Sequence, residues 1–241
     1  MAAYGEHVVL DGVNLSIYPQ EIITIIGGSG SGKTTLLKHF IGLEHAKSGL
    51  IEIFGLDWWS MNEKDREEAQ KKIGVLFQNG ALLGSKTVGV NIAIPIEQHT
   101  QLPDSIIKRV VKLKLKQVGL SDAFDLLPSE LSGGMRKRAA LARALALDPP
   151  LIFCDEPSAG LDPVTTLQLD KLLLDLRDNL GLTIVVVTHE IASIKRIADR
   201  IAYIENGKIA FTGSVQEAVN SGIESVMSFF STAENATNKK T

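Results

Sequence analysis

Gly27-Gly28-Ser29-Gly30-Ser31-Gly32-Lys33-Thr34 stands between an apolar run of strand length, Ile22 to Ile26, and a helix-like run, Thr35 to Ile41. Glycines at these offsets let the backbone turn with its N–H groups pointing inward, which makes a concave nest for an anion. The helix that follows adds unpaired N–H groups and the positive end of its dipole. A polyphosphate suits such a nest. Lys33 occupies the position from which an ammonium reaches the β- and γ-phosphates, and the Thr34 hydroxyl is placed to ligate Mg²⁺. Gly27 to Thr34, with Gly28, Ser29, Gly30, Ser31 and Gly32 between them and Thr35 adjoining, are the candidate phosphate-binding residues. A plain Gly/Ser turn is the competing reading, and the strand before and helix after weigh against it.

Working outward, strand-length apolar runs alternate with longer helical patterns: Glu21–Ile26, Lys33–Leu43, Leu151–Asp155, Val164–Leu180, Thr183–Thr188, Glu190–Ala198 and Arg200–Glu205. Thr183-Ile184-Val185-Val186-Val187 is apolar with no alternation, which implies burial on both faces and a parallel sheet covered by helices. His7–Tyr18 and Gly49–Phe54 alternate instead, which predicts a small antiparallel sheet beside the main one. From about Asn79 to Ala144 the strand signal gives way to helical segments, Ser105–Val118, Ser121–Leu127 and Gly134–Leu147, which predicts a helical insertion in an α/β core. Asn62–Lys72 is highly charged, and its Glu67/Lys71 and Glu68/Lys72 pairs suit an exposed connector helix. The division expected is a nucleotide-binding core with β subdomain over 1–78 and 145–220, a helical subdomain over 79–144, and a tail over 221–241. The polar end, Thr232 to Thr241, is expected to fray.

Composition narrows the class. The 241 residues are 44% hydrophobic and 22% charged, ordinary for a globular domain. No apolar run approaches the ~20 residues that span a bilayer. MAAYGEH, at the start, lacks the basic segment and apolar core of a secretion signal, which predicts a cytosolic protein. Cys154 lies in an apolar run and reads as an inert core thiol. A net charge of −3 argues against a general nucleic-acid binder. Lys108, Arg109, Lys112, Lys114 and Lys116 alternate with apolar residues. That stretch suits either an anionic lipid surface or an ordinary solvated helix face, and the second reading is favoured.

Asp155-Glu156 closes the buried strand Leu151–Cys154. Paired carboxylates end strands for structural reasons too, but with a phosphate loop upstream they suit Mg²⁺ binding and activation of water. Four more pieces follow in order: Gln78 after Val75-Leu76-Phe77; Leu131-Ser132-Gly133-Gly134-Met135 opening a helix; Ser158-Ala159-Gly160-Leu161-Asp162; and His189 after Val185–Thr188. Over nearly the whole chain, this order resembles the ATP-binding subunit of ABC transporters. The resemblance implies a P-loop NTPase (RecA-like) α/β core with an N-terminal antiparallel β subdomain and an inserted α-helical subdomain. It also implies ATP and Mg²⁺ as ligands.

The resemblance assigns a role to each matched position. Gln78 senses Mg²⁺ and the attacking water and faces the membrane subunit; a polar strand end is the plainer alternative. Asp155 holds Mg²⁺, and Glu156 orients or deprotonates water. Ser132, Gly133 and Gly134 meet the γ-phosphate of ATP bound to a second subunit, where a helix start favours negative charge. Asp162 links the two sites. His189 touches the γ-phosphate, or else caps the next helix. Tyr4, 29 residues before Lys33, stands where the family places an aromatic against adenine, although the usual strand ahead of it has little room; a floppy terminus is the alternative. Met135 departs from the glutamine common there, and its thioether leaves the phosphate contacts of Ser132 and Gly134 untouched.

LSGGM followed by Arg136 to Ala144, FQNGALL at 77–83, DEPSAGLDPVTT at 155–166 and Val226-Met227-Ser228-Phe229-Phe230 are similar to the Mla/Mce-type ATPases, which drive phospholipid or other lipid movement. That similarity implies a homodimer held by integral membrane permease subunits at the cytoplasmic face of the inner membrane. An Mce-type lipid-binding subunit and a small cytoplasmic accessory subunit are further expected partners. A pump for amino acids, metals or drugs is the alternative within transport. A soluble ATPase acting on DNA or ribosomes lacks support, because no second ATPase unit, coiled-coil insertion or basic surface is present. A GTPase switch would carry an Asn-Lys-x-Asp motif, which is missing. A nucleotide-binding regulator without turnover fits poorly with Glu156 and His189 both present.

Overall fold

Ile22, Ile23, Ile25 and Ile26 are fully buried, as are Val185 and Val186, so continuous apolar sequence here means strands covered on both faces. The computed structural model describes the backbone of residues 1–238 and the side chains of residues 1–231. In chain order the strands are β1 (Ala2–Tyr4), β2 (His7–Leu10), β3 (Ile22–Gly27), β4 (Glu52–Ile53), β5 (Leu56–Asp57), β6 (Ile73–Leu76), β7 (Leu151–Asp155), β8 (Thr183–Val187), β9 (Arg200–Glu205) and β10 (Lys208–Gly213). The helices are α1 (Lys33–Phe40), α2 (Glu63–Lys71), α3 (Val88–His99), α4 (Asp104–Gln117), α5 (Gly133–Ala144), α6 (Pro163–Leu180), α7 (Ile191–Ile197), α8 (Val215–Val219) and α9 (Glu224–Asn238).

The main sheet has the order β10-β9-β3-β8-β7-β6, parallel throughout except for β10, which pairs antiparallel with β9 at the edge. Leu76, Cys154, Val186 and Thr24 lie in one cross-sheet row. Two cores cover the faces. Ile23, Ile25, Phe153, Val185 and Val187 pack with Leu36 and Leu37 of α1. Ile22, Ile152, Ile184 and Val186 pack with Leu141 of α5, with Leu145 at its C-cap, and with Leu169 and Leu173 of α6. From β3 the chain crosses to the far edge at β6 and returns through β7 and β8. The carboxyl ends of all four strands therefore line one rim of the sheet, where ligands bind in doubly wound folds.

Several details differ from what the patterning predicts. His7–Tyr18 and Gly49–Phe54 do not share a sheet: β1 pairs with β2, and β4 pairs with β5, as two separate ribbons. Val13, Leu15 and Ile17 alternate as expected and pack against the α1-side core, but no ladder forms along them. Alternation reports which side chains face inward and says nothing of whether a strand runs alongside. Residues Ser121–Leu127, expected to be helical, form successive turns. Their carbonyls instead cap α3, with Val88 N–H donating to Leu126 O (2.8 Å) and Gly89 N–H to Phe124 O (2.9 Å). No pattern singled out α3 itself, because Pro95 and the β-branched Val88, Val90 and Ile92 argue against a helix.

On α2, Lys71 takes both acidic partners, Glu67 at 3.4 Å and Glu68 at 2.7 Å. Lys72, expected to pair with Glu68, lies over the Phe54 ring instead. Helix α9 runs on to Asn238 through the first part of the polar end expected to fray, and residues 239–241 lie outside the described residues. Cys154 is fully buried, and burial pushes its thiol up to about 12, as suits a core residue.

Candidate nucleotide site

The loop after β3 turns through backbone that only glycine adopts freely. Gly30 and Gly32 have φ of 74° and 101°, and a Cβ at Gly32 would stand 2.6 Å from Leu10 Cδ2. Gly32 is also the N-cap of α1. It offers no side-chain cap, and the first turn of α1 has no acidic residue. Among the described residues, no carboxylate or hydroxyl therefore satisfies the leading N–H groups of α1, a ready anion site. Lys33 folds over the loop, its Nζ donating to Gly28 O at 2.8 Å, Gly27 O at 3.0 Å and Ser31 Oγ at 3.5 Å. Thr34 is exposed at the head of α1, and the Thr35 carbonyl is 2.7 Å from His39 Nδ1.

Asp155 and Glu156 end β7, two strands from the loop. Burial, reinforced by the charge of Glu156, pushes the Asp155 carboxyl above its ordinary value, and burial likewise holds the Lys33 ammonium below its own. Glu156 has φ 45°, left-handed for a residue with a Cβ. Its N–H donates to Val187 O at 2.8 Å, and its carboxylate is held at both oxygens. His189 Nδ1 lies 2.8 Å from Oε1, and Thr188 Oγ1 donates to Oε2 at 3.2 Å. Because a carboxylate only accepts, the His189 proton on that side belongs to Nδ1. The alternative of His189 as a helix cap does not hold: Glu190 is the N-cap of α7.

Gln78 projects an exposed side chain past the end of β6, while its carbonyl accepts from Lys137 Nζ at 2.5 Å. Ser132 is the N-cap of α5, its Oγ accepting from Met135 N–H at 3.2 Å. Gly133 and Gly134 follow in the first turn. Gly134 is buried so closely on α6 that a Cβ would meet Thr165 Cγ2 at 2.3 Å. Asp162 caps α6, accepting from Val164 and Thr165 N–H at 3.0 Å each and from Thr165 Oγ1, bonds that hold its carboxyl below the ordinary value. So Lys33, Asp155, Glu156, His189 and Gln78 gather along one rim of the sheet, while Ser132 to Gly134 sit with Asp162 at the starts of α5 and α6. Among the described residues no hydrogen bond joins this second group to the loop 27–35. Tyr4 is ordered within β1, half exposed, with its hydroxyl donating to Glu44, which also accepts from Lys38 of α1.

Two contributors escaped the patterning. Thr188 reads as the end of an apolar strand, and Lys137 as one charge among Arg136, Lys137 and Arg138. The helical period does carry a signal for the second, since Gly134, Lys137 and Leu141 fall on the face that is buried.

A strand, a glycine-lined turn, an uncapped helix start with Lys33, and a carboxylate pair on a nearby parallel strand define a P-loop nucleotide-binding protein. Known proteins sharpen the class. The family described as ABC transporter matches residues 10–159. The chain is 42% identical over 217 residues to the intermembrane phospholipid transport system ATP-binding protein MlaF of Haemophilus influenzae, covering 90% of this chain and 82% of that protein. It is also 42% identical over 214 residues to the methionine import ATP-binding protein MetN of Clostridioides difficile, covering 89% of this chain but 66% of that protein. Two solved structures superpose closely. The ATP-binding cassette MJ0796, dimeric and bound to ADP and Pi, gives a TM-score of 0.79 at 30% identity over 89% of this chain and 94% of that one. The subunit cbiO1 of Clostridium perfringens gives 0.83 at 29% identity over 92% and 88%. The chain belongs to the ABC transporter family, as an ATP-hydrolysing ATP-binding subunit.

The raised Asp155 has a consequence for stability. A carboxyl whose folded pKa lies above its unfolded value destabilises the fold once pH exceeds that folded pKa, and the penalty vanishes below about 3.9. Asp155→Asn is therefore expected to raise the melting temperature by a few degrees at neutral pH, with the gain closing as the solution is acidified. Thermal melts across that range check it, and a lower melting temperature at neutral pH would contradict the burial argument.

Proposed function

We propose that two copies of the chain clasp two ATP molecules head to tail, each nucleotide held between the loop 27–34 of one copy and Ser132, Gly133 and Gly134 of the other. The single observation that supports this best is the separation of the site into two groups. The phosphate cradle and the Glu156–His189 pair gather on one rim, and the helix start at Ser132 adjoins Asp162 with no hydrogen bond to the cradle among the described residues. Glu156, oriented by His189 and Thr188, takes the proton of the attacking water. Lys33 and the α1 N–H groups stabilise the phosphates, and His189 stands at the terminal one. Tyr4 offers its ring to adenine. Asp162, already engaged in capping α6, carries motion between the two sites.

Mg²⁺ fits these residues. Among the described residues no group of three or more His, Cys, Asp or Glu is arranged to hold a metal. The available donors, Thr34 hydroxyl, Asp155 carboxylate and Gln78 amide, are hard oxygens. They suit a cation that keeps phosphate oxygens and water as its other ligands. The raised Asp155 carboxyl marks a place where positive charge is wanted. When bound, Mg²⁺ supplies charge neutralisation on the phosphates.

The work of the dimer is delivered to membrane permease subunits. Phe77, next to Gln78 in the chain, stays exposed, as do Leu83 and Val90 farther along it, apolar surface suited to a partner. Among the described residues no helix is long and apolar enough to cross a membrane, which accords with a peripheral subunit held by its permease at the cytoplasmic face of the inner membrane. For cargo, Met135 and the similarity to MlaF support phospholipid or other lipid transport, with an Mce-type subunit and a small cytoplasmic accessory subunit as companions. The equal identity to methionine-import proteins supports an amino-acid transporter as the second reading.

Glu156→Gln should abolish ATP turnover while leaving dimers that persist on a sizing column in ATP; turnover at the wild-type rate would remove Glu156 from this role. For the cargo, the native complex isolated from membranes should carry phospholipid and an Mce-type subunit by mass spectrometry. Recovery of an amino-acid receptor in their place would end the lipid reading.

A further inference from the structure

Lys137 lies just past the first turn of α5 with only 7% of its surface exposed. A buried ammonium needs partners, and this one has two main-chain carbonyls: Gln78 O at 2.5 Å and Glu156 O at 3.1 Å. Those carbonyls belong to the segments that leave β6 and β7. Burial lowers the Lys137 pKa, and the charges of Glu156 and Asp155 oppose that shift, favouring the charged form. An ammonium carries three donors and no acceptor, so it can hold two carbonyls at once.

The same face of α5 grips the Gln78 segment twice more. Gly80 sits against Ala140, where a Cβ would come within 3.2 Å of the Ala140 Cβ. Arg143 donates to Gly80 O at 2.9 Å and to Ala81 O at 2.7 Å. Residues 137, 140 and 143 recur at helical spacing, so the loop 78–81 runs along α5 like a rail. Both ends of this arrangement include non-glycine residues of positive φ, Ala81 at 50° and Glu156 at 45°. Such backbone persists only where its surroundings hold it.

We propose that Lys137 is a positioning residue for ATP hydrolysis: it ties the backbone of Gln78 and Glu156 to the helix that begins at Ser132, so that a shift at that helix start moves both together. The inference rests on the head-to-tail reading, in which Ser132 meets the nucleotide of the opposite site. Under it, the Lys137 tether makes α5 the rod by which occupancy of one site sets the carboxylate of the other. Arg143 and Ala140 keep the Gln78 loop aligned with the rod, and Lys137 extends the grip to Glu156.

The test compares Lys137→Met and Lys137→Arg in the full-length chain, by steady-state ATPase, equilibrium binding of ATP and amide hydrogen exchange. Methionine keeps the length and removes the donors. It is expected to cut kcat by about tenfold or more while ATP affinity stays within about threefold. Exchange should quicken at Gly80 and Ala159, whose N–H groups donate to the carbonyls of Phe77 and Glu156, and stay unchanged over 27–35. Arginine, which keeps the donors, should recover most of kcat. Wild-type kcat in Lys137→Met, a parallel loss of ATP affinity, or an arginine variant no better than methionine would each overturn the proposal. If Lys137→Met fails to fold, Lys137→Leu, which also lacks a donor, gives the same comparison, and an unaltered kcat there overturns it equally. Failure of the head-to-tail reading shows separately, as wild-type chain that hydrolyses ATP without pairing. The exchange difference at Gly80 and Ala159 reports the tether in either case.

Discussion

Parallel register is the constraint from which the site follows. Thr24, Val186, Cys154 and Leu76 share one row across β3, β8, β7 and β6, so the residues two steps on, Ile26, Thr188, Glu156 and Gln78, arrive at the same level of the rim. Slipping any of these strands by one residue would turn its apolar set to the other face. Burial of both faces makes such a slip costly, since two separate cores, one under α1 and one under α5 and α6, each accept only alternate side chains. The precision of a carboxylate held at both oxygens by His189 and Thr188 thus derives from packing well behind it.

Charge is the second organising influence. Two ammonium groups, Lys33 and Lys137, are half-buried or buried beside two carboxylates, Asp155 and Glu156, and burial shifts Lys33, Lys137 and Asp155 toward their neutral forms. Each cation is held by backbone carbonyls instead of by a direct ion pair with these carboxylates. The carboxylates are left to other work, and the helix start of α1 is left without an acidic cap. A site arranged this way suits a ligand that brings its own negative charge together with a cation.

Much of this was legible because its signals are local and physical. Continuous apolar runs identified β3, β7, β8 and β9 as buried strands, and glycine spacing with Lys33 located the cradle. What escaped depends on contacts distant in sequence. Residues 121–127 are turns because their carbonyls cap α3, and α3 persists despite Pro95 because tertiary packing overrides propensity. Val13, Leu15 and Ile17 carry a strand's alternation without a strand's partner. Lys137 is one of three consecutive basic residues, and only the fold shows the two carbonyls that draw it inside. Function divides along the same line: the ATP-hydrolysing class is carried by residues of this chain, whereas the proposed lipid cargo rests on the similarity to MlaF.

If each ATP is shared between two chains, two variants that are inactive by themselves should complement one another in a mixture. Lys33→Ala disables the cradle and Ser132→Arg the opposing helix start, so each homodimer should be inactive. A dimer formed from one of each contains one site with both lesions and one site with neither. ATPase activity, absent from either variant alone, should return on mixing. A mixture as inactive as its components, with heterodimers demonstrably formed, would place the whole site within one chain and contradict it.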